Sequence, residues 1–177
     1  MSVRDARDAV SAQPTRAVLV IGLGNALRHD DAAGLEVARL VRARVDAAVA
    51  TVLEHEGEPL GLIERWRGAT AAIVVDATRS GAPAGSITRI DAASAPMPHE
   101  AAGSPSSHAV GLAEAIELAR ELGRLPPRMV VYGVEGARFD AGSGLSEAVR
   151  AAVEGLVEAV AGEVGELAGT VSTSTSP

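Results

Sequence analysis

Residues 17–34, AVLVIGLGNALRHDDAAG, decide how this chain folds. The first five residues are all apolar, which is typical of a strand buried on both faces, and Gly22 and Gly24 then predict a turn. Asp30 and Asp31 stand where the first turn of a helix is expected to carry acids. The helix is predicted by apolar residues spaced three and four apart, at Leu35, Ala38, Val41 and Val45. A strand, a turn and a crossover helix are therefore expected.

The rest of the chain continues this alternation of strands and helices. Short apolar runs predict strands at 49–53, 71–75, 85–90 and 129–134, and helical spacing predicts helices at 60–66, 110–122 and 145–160, the last capped by Ser146. The strand at 85–90 follows its predecessor too closely for a helical crossover, so it should be an antiparallel edge strand. The predicted fold class is α/β: three α/β/α layers around a mixed, mostly parallel five-stranded sheet, phosphorylase- or hydrolase-like.

One domain is expected from this length, with residues 17–168 forming the α/β unit. Residues 1–16 are predicted to be a flexible N-terminal segment, and 169–177, which end in TVSTSTSP, a disordered tail. Residues 91–107 (DAASAPMPHEAAGSPSS) are rich in Ala, Pro and Ser and are longer than an ordinary loop. They must return the chain from the antiparallel strand to the opposite edge of the sheet, and we expect them to be mobile.

Composition narrows the classes of partner. The formal net charge of −7 and the absence of a basic block disfavour nucleic acid and anionic membrane surfaces, and aromatic residues make up only 2% of the chain. There is no cysteine, which fits a reducing compartment, and no apolar run of membrane-spanning length. We therefore expect a cytoplasmic protein, a monomer, with no nucleic-acid or membrane partner.

Several catalytic motifs can be discarded. There is no GxSxG, and the HE pairs at His55 and His99 lack a second histidine four residues on, so serine hydrolase and zincin mechanisms are not indicated. The turn at 22–27 begins like a dinucleotide fingerprint, but Leu27 replaces the third glycine. A nucleotide cofactor is therefore not expected.

Three residues from separate segments are predicted to meet at one edge of the sheet. Ligands of open α/β sheets bind beyond the carboxyl ends of the strands, where Asp31, Asp76 and His108 all fall. Two carboxylates and an imidazole suit a borderline divalent metal with open positions. Each residue also has a simpler explanation, since Asp31 and Asp30 could stabilise a helix N-terminus, Asp76 could cap a turn, and His108 could be a polar helix-start residue.

Several short motifs recur along residues 17–160, beginning with GLGNALRHDDAAG at 22–34. This motif is similar to the pattern GxGNxLxxD(D/E)xxG of the hydrogenase maturation protease family, which the sequence resembles. Further matches are VVDA at 74–77, PAG at 83–85, SxHAVGL at 106–112 and YGVEG at 132–136. Departures are Ala32, where many members have glycine, and Glu56-Gly57-Glu58 in place of a DxGT-like turn, which bears on the choice of precursor.

The resemblance implies an endopeptidase that removes the C-terminal extension of a nickel–iron hydrogenase large-subunit precursor after nickel insertion. By motif, Asp31, Asp76 and His108 become the metal-contacting and catalytic residues. Nickel would be supplied by the precursor, so the partner is that precursor and the site recognises its bound metal. The three residues would position the scissile peptide while the metal or an acid activates water.

Two other functions fit parts of the sequence. A peptidyl-tRNA hydrolase shares a GLGNP-like turn, but Ala26 replaces the proline, a tyrosine segment is missing, and the charge of −7 does not suit tRNA. A non-catalytic chaperone that holds the nickel-loaded precursor would use the same three ligands, and the sequence does not separate it from a protease.

Overall fold

The computed structural model describes residues 18–56, 59–97 and 107–173. The strands are β1 (Val18–Leu23), β2 (Ala50–His55), β3 (Ala71–Thr78), β4 (Ile87–Asp91) and β5 (Arg128–Glu135). The helices are α1 (Ala33–Arg42), α2 (Pro59–Arg65), α3 (Ser107–Glu121) and α4 (Glu147–Thr173), with a 3-10 turn, His29–Ala32, directly before α1.

The five strands form one sheet in the order β2-β1-β3-β5-β4. The first four in this order run parallel, and β4 pairs antiparallel with β5 at the edge. Both features confirm the predicted fold class. The parallel strands place their carboxyl ends at a single edge, which we call the carboxyl edge and which is formed by the ends of β2, β1, β3 and β5.

Alternating side chains divide the core into two layers, one on each face of the sheet. On one face, α1 and α4 pack against alternate strand residues such as Val20, Ile73 and Val75. On the other, α2 and α3 pack against residues of opposite parity such as Ile21 and Val74. Continuous apolar strands are required here because helices cover both faces. The three-layer arrangement follows from this pattern.

The last helix is longer than the sequence predicted. Residues 169–173 continue α4, so the predicted disordered tail of 169–177 begins too early. Leu167 is buried in the core, and once that turn is anchored the helix propagates beyond it at little cost. The remainder of the predicted tail, 174–177, and the predicted N-terminal segment, 1–16, lie outside the described residues.

Ser146 does stand immediately before α4, but its hydroxyl oxygen is buried without a hydrogen-bond partner, so it is not the predicted side-chain cap.

The first part of the long connection after β4 is fixed in place, contrary to the expected mobility. Arg120 of α3 donates to the carbonyl oxygens of Ala92, Ala93 and Ala95. Residues 92–97 therefore lie along α3, and the prediction of mobility remains only for 98–106, outside the described residues.

Within the described ranges, none of the helices combines the length and hydrophobicity that crossing a bilayer requires.

Candidate functional site

Close backbone packing brings Asp31 to the carboxyl edge. A Cβ atom on Gly22 of β1 would lie 2.0 Å from the carbonyl oxygen of Gly34, so α1 approaches the strand more closely than any side chain would allow. Gly24 has a φ of +149°, and a Cβ there would lie 1.8 Å from the carbonyl oxygen of Asp31. The 3-10 turn that carries Asp31 is thereby pressed against the end of β1.

Asp30 fixes that turn to the connection between β5 and α4. It is fully buried, and its carboxylate accepts the backbone N–H groups of Ala137 at 2.8 Å, Arg138 at 2.9 Å and Ser146 at 2.6 Å. Burial raises the pKa of Asp30, but these N–H donors outweigh it and hold the pKa below its usual value. Asp30 was predicted to stabilise a helix N-terminus, whereas its observed role is to join two distant segments.

His29 strengthens the same junction. It adopts a φ of +47°, and its ring covers Gly142, where a Cβ would lie 2.1 Å from Nε2. The His29 N–H donates to the Gly142 carbonyl oxygen at 3.0 Å, and Nδ1 lies 3.0 Å from the carbonyl oxygen of Gly144. A non-glycine residue in this conformation costs energy, so the surrounding contacts must fix it. Asp31 follows on a backbone with little freedom.

Asp76 lies near the end of β3 and is 2% exposed. Its parity places it with Ala72 and Val74 on the face covered by α2 and α3. Burial and the charge of Asp31 raise the pKa of Asp76 to about 7, while a 2.9 Å hydrogen bond from the N–H of Ala77 opposes the rise. Asp31 and Asp76 are therefore two buried carboxylates whose charges oppose each other, which we call the acid pair, and their role as metal contacts remains a prediction.

A buried acid pair of this kind favours a cation. Ionising both carboxylates in a poorly solvated site is costly, and a divalent ion between them would replace repulsion by attraction. Within the described residues, no cluster of three or more His, Asp and Glu side chains is arranged to hold a metal ion. The two carboxylates alone are thus too few to hold a metal ion. A further protein ligand, or ligands on a molecule that brings the metal, would complete the coordination.

The third predicted residue, His108, is the second residue of α3, and its side chain lies outside the described part of the chain. The position of the helix is informative, however. Because α3 leads into β5, which runs parallel to β3, the helix begins at the carboxyl edge. It also packs on the same face as Asp76. Contact of His108 with the acid pair remains a prediction.

Glu135 at the end of β5 is a buried site residue that the sequence reasoning did not single out. Its Oε2 accepts from the hydroxyls of Thr78 and Ser80 and from the Ser80 N–H, and its Oε1 accepts from the Gly81 N–H at 2.8 Å. The turn after β3 is therefore held directly beside Asp76. An acid at the carboxyl end of a strand, the signal that identified Asp76, would also have identified Glu135.

Comparison with known proteins gives the family. Residues 56–163 match the family model described as hydrogenase maturation protease, HycI. The chain is also 31% identical over 124 residues to the hydrogenase expression/formation protein HupD of Thiocapsa roseopersicina, an alignment that covers 70% of this chain and 56% of HupD. This α/β chain with its acidic carboxyl edge belongs to the hydrogenase maturation protease family.

Solved structures agree on the fold. The hydrogenase maturating endopeptidase HybD from E. coli superposes with a TM-score of 0.69 at 23% identity, covering 84% of this chain and 92% of that one. The [NiFe] hydrogenase maturation protease HybD from Thermococcus kodakarensis gives a TM-score of 0.63 at 25% identity, covering 81% and 95%. The chain spans little more than half the length of the curated relative HupD. The matched family range contains Asp76 and His108, and Asp31 precedes it.

Proposed function

We propose that this protein is an endopeptidase that removes the C-terminal extension of a nickel–iron hydrogenase large-subunit precursor after nickel insertion. The observation that carries the proposal is the buried acid pair, in which the charge of Asp31 helps to raise the pKa of Asp76 to about 7. The family membership supports the reaction class. The acid pair supports the way in which the substrate is recognised.

In this proposal Asp31, Asp76 and His108 contact the nickel that the precursor already holds, so the metal arrives as part of the substrate. A precursor without nickel would meet two carboxylates that repel each other in a buried site. A nickel-loaded precursor relieves that repulsion, since the cation favours the ionised form of both groups. Discrimination between the two precursors follows from this difference in electrostatic free energy.

The remaining residues of the edge keep the acid pair rigid. Asp30 and Glu135 fix the two segments that carry Asp31 and Asp76, through three and four hydrogen bonds respectively. Metal contacts made by such fixed groups place the scissile peptide in one orientation, which lowers the entropic part of the barrier. Water that is activated by the metal or by an acidic residue in its carboxylate form would then add to the peptide carbonyl carbon. The C–N bond breaks, and the leaving amine takes up the proton that the water has lost.

We further propose that the protein works as a monomer in the cytoplasm. The lack of cysteine in the sequence is compatible with a reducing compartment.

The test is to incubate purified nickel-loaded precursor with the protein and to measure the mass of the large subunit. We expect wild type to shorten it, and Asp31→Ala, Asp76→Asn and His108→Ala each to lower the rate at least about 100-fold. Glu158→Gln is the matched control, because Glu158 is an exposed acid on α4. It should cleave at the wild-type rate.

The same experiment separates a protease from a precursor chaperone. If wild type binds the nickel-loaded precursor but leaves its mass unchanged, the chaperone function is correct and the endopeptidase proposal is wrong. If Asp31→Ala still processes the precursor fully, the acid pair does not perform the role assigned to it. Nickel-free precursor should remain uncut in either case.

A further inference from the structure

Arg79 lies at the carboxyl edge with its guanidinium group stacked on an aromatic ring. It follows the last residue of β3 and is three positions after Asp76. Its Cζ atom lies 4.5 Å from the centre of the Phe139 ring. This distance is typical of a cation–π contact, which ties the guanidinium group to the ring.

The ring of Phe139 is a rigid support. Phe139 is 5% exposed, and its ring fills the space beside Gly136, where a Cβ would lie 2.4 Å from Cζ of the phenyl group. Its carbonyl oxygen accepts two hydrogen bonds from Arg28, at 3.1 Å from Nε and 2.9 Å from Nη2. Stacking on a fixed ring restricts the rotamers of Arg79, so less entropy is lost when its outer N–H groups bind a ligand.

Arg79 differs from most other arginines of the described chain. Eight of them contact a carboxylate or lie within salt-bridge distance of one: Arg39, Arg42, Arg44, Arg67, Arg89, Arg120, Arg124 and Arg138. Within the described ranges no carboxylate forms a salt bridge with Arg79. In a chain with a net charge of −7, Arg79 is therefore a cation that lacks an ion-pair partner among the residues that the structure describes.

We propose that Arg79 is a substrate-specificity residue that binds a carboxylate of the peptide being processed. The proposal rests on the proposed endopeptidase function and names one contact of the same site. A guanidinium edge matches a carboxylate in a bidentate pair, and Arg79 is exposed and forms no salt bridge within the described residues that would occupy that edge. The carboxylate belongs either to an acidic side chain of the C-terminal extension or to its terminal residue.

Geometry limits where that carboxylate lies along the peptide. Three consecutive peptide units separate Asp76 from Arg79, so their Cα atoms are at most about 11 Å apart. An extended peptide covers this distance in about three residues. Electrostatics point to the same arrangement, because an anionic group placed over Asp31 and Asp76 would be repelled, whereas Arg79 attracts it at a position beyond them.

The test uses full-length nickel-loaded precursor with wild type, Arg79→Gln and Arg79→Lys. We expect Arg79→Gln to raise KM about tenfold with kcat within twofold of wild type, since a contact that is equal in ground and transition states alters KM alone. Arg79→Lys should fall between the two, because it keeps the charge but loses the planar edge. Arg65→Gln is the control: Arg65 is an exposed arginine at the far end of α2. Its KM should not change.

Two altered precursors identify the source of the carboxylate. In one, acidic side chains of the extension are replaced by amides, and in the other the terminal carboxylate is made an amide. The KM difference between wild type and Arg79→Gln should disappear in one of them. The inference is overturned if Arg79→Gln has a wild-type KM, if it lowers kcat alone, or if the difference persists with both altered precursors.

Failure of the proposed function is distinguishable from failure of this contact. If wild type does not cut the precursor, the Kd for nickel-loaded precursor replaces KM as the readout. A roughly tenfold weaker Kd for Arg79→Gln, with Arg65→Gln unchanged, then supports the carboxylate contact even though the cleavage proposal is wrong. Equal Kd values for both variants overturn it.

Discussion

The carbonyl oxygen of Gly34 lies 2.0 Å from the point at which a Cβ atom on Gly22 would stand. Gly34 is constrained in the same way, since its own Cβ would lie 2.3 Å from the carbonyl oxygens of Leu23 and Val75. These obstacles are backbone atoms, which cannot move aside as a flexible side chain would. The close packing of α1 on the sheet, and with it the position of Asp31, depends on the absence of side chains at Gly22 and Gly34.

Gly34→Ala should therefore destabilise the protein by about 2 kcal/mol or more, although alanine is the better helix former, because overpacking outweighs propensity. Gly162→Ala in α4 is the matched control, since nothing lies within 4 Å of its added Cβ. It should stabilise by about 0.5–1 kcal/mol. Urea unfolding of both variants checks the opposite signs, and a similar shift in the two would contradict the close approach.

Asp30→Asn should lower both stability and processing. The carboxylate accepts N–H groups on both of its oxygens, and an amide would turn its own NH₂ toward at least one of them. The expected loss is about 2–3 kcal/mol, because the charged acceptor is lost and the amide NH₂ faces a backbone N–H, which leaves both of these buried donors unsatisfied. Asp46→Asn, which alters an exposed carboxylate accepting one backbone N–H, should cost less than about 1 kcal/mol. We call the three hydrogen bonds from Ala137, Arg138 and Ser146 to this carboxylate the Asp30 clamp. Equal losses in the two variants would show that the clamp does not stabilise the fold.

The free energy of unfolding should depend on pH through the titration of Asp76. In the unfolded chain its pKa is near 3.8, whereas in the fold it is about 7, so the folded state binds the extra proton between these values. Its contribution to stability is therefore complete below pH 4 and is lost as pH rises toward 7 and above. The loss is on the order of 4 kcal/mol.

Asp76→Asn removes this titration. The stability of the variant relative to wild type should rise between pH 4 and 8, as measured by urea unfolding at a series of pH values. Other buried carboxylates, such as Asp30 and Glu135, have lowered pKa values and lose stability at acid pH, but they do so in both proteins and cancel. A constant difference between variant and wild type across this range would argue against a raised pKa.

Glu163→Gln should destabilise without affecting the site. Glu163 is 8% exposed and accepts from Arg89 at 2.7 and 2.8 Å and from the Tyr132 hydroxyl at 2.9 Å, joining α4 to β4 and β5. Removing its charge leaves the Arg89 guanidinium without its partner, which should cost about 2–3 kcal/mol.

The control for that experiment is Glu154→Gln, because Glu154 is 62% exposed in its pair with Arg44. Its loss should be below about 1 kcal/mol. Thermal unfolding measures both losses, and the precursor-processing rate at low temperature should be normal in each variant. A selective loss of processing in Glu163→Gln would mean that this network communicates with the carboxyl edge.

The sequence predicted the sheet well because its strands are buried on both faces and their continuous apolar runs leave little ambiguity. Asp76 was found for the same reason, as a carboxylate directly after such a run. The partners of Asp30 could not be predicted, because Ala137, Arg138 and Ser146 contribute only backbone N–H groups, which any residue supplies. The packing of α1 on Gly22 and the stacking of Arg79 on Phe139 likewise depend on tertiary distances that no local pattern encodes.

The Asp30 clamp joins residues that are 107 to 116 positions apart. The turn that carries Asp31 therefore cannot form all of its hydrogen bonds until the chain has been synthesised past residue 146, even if β1 and α1 fold earlier. A partly made chain has both carboxylates but lacks the connection that fixes one of them beside the other. A ribosome-bound fragment that ends before residue 146 therefore lacks one of the three hydrogen bonds that fix this turn, and the carboxyl edge is completed only when the last helix joins the domain.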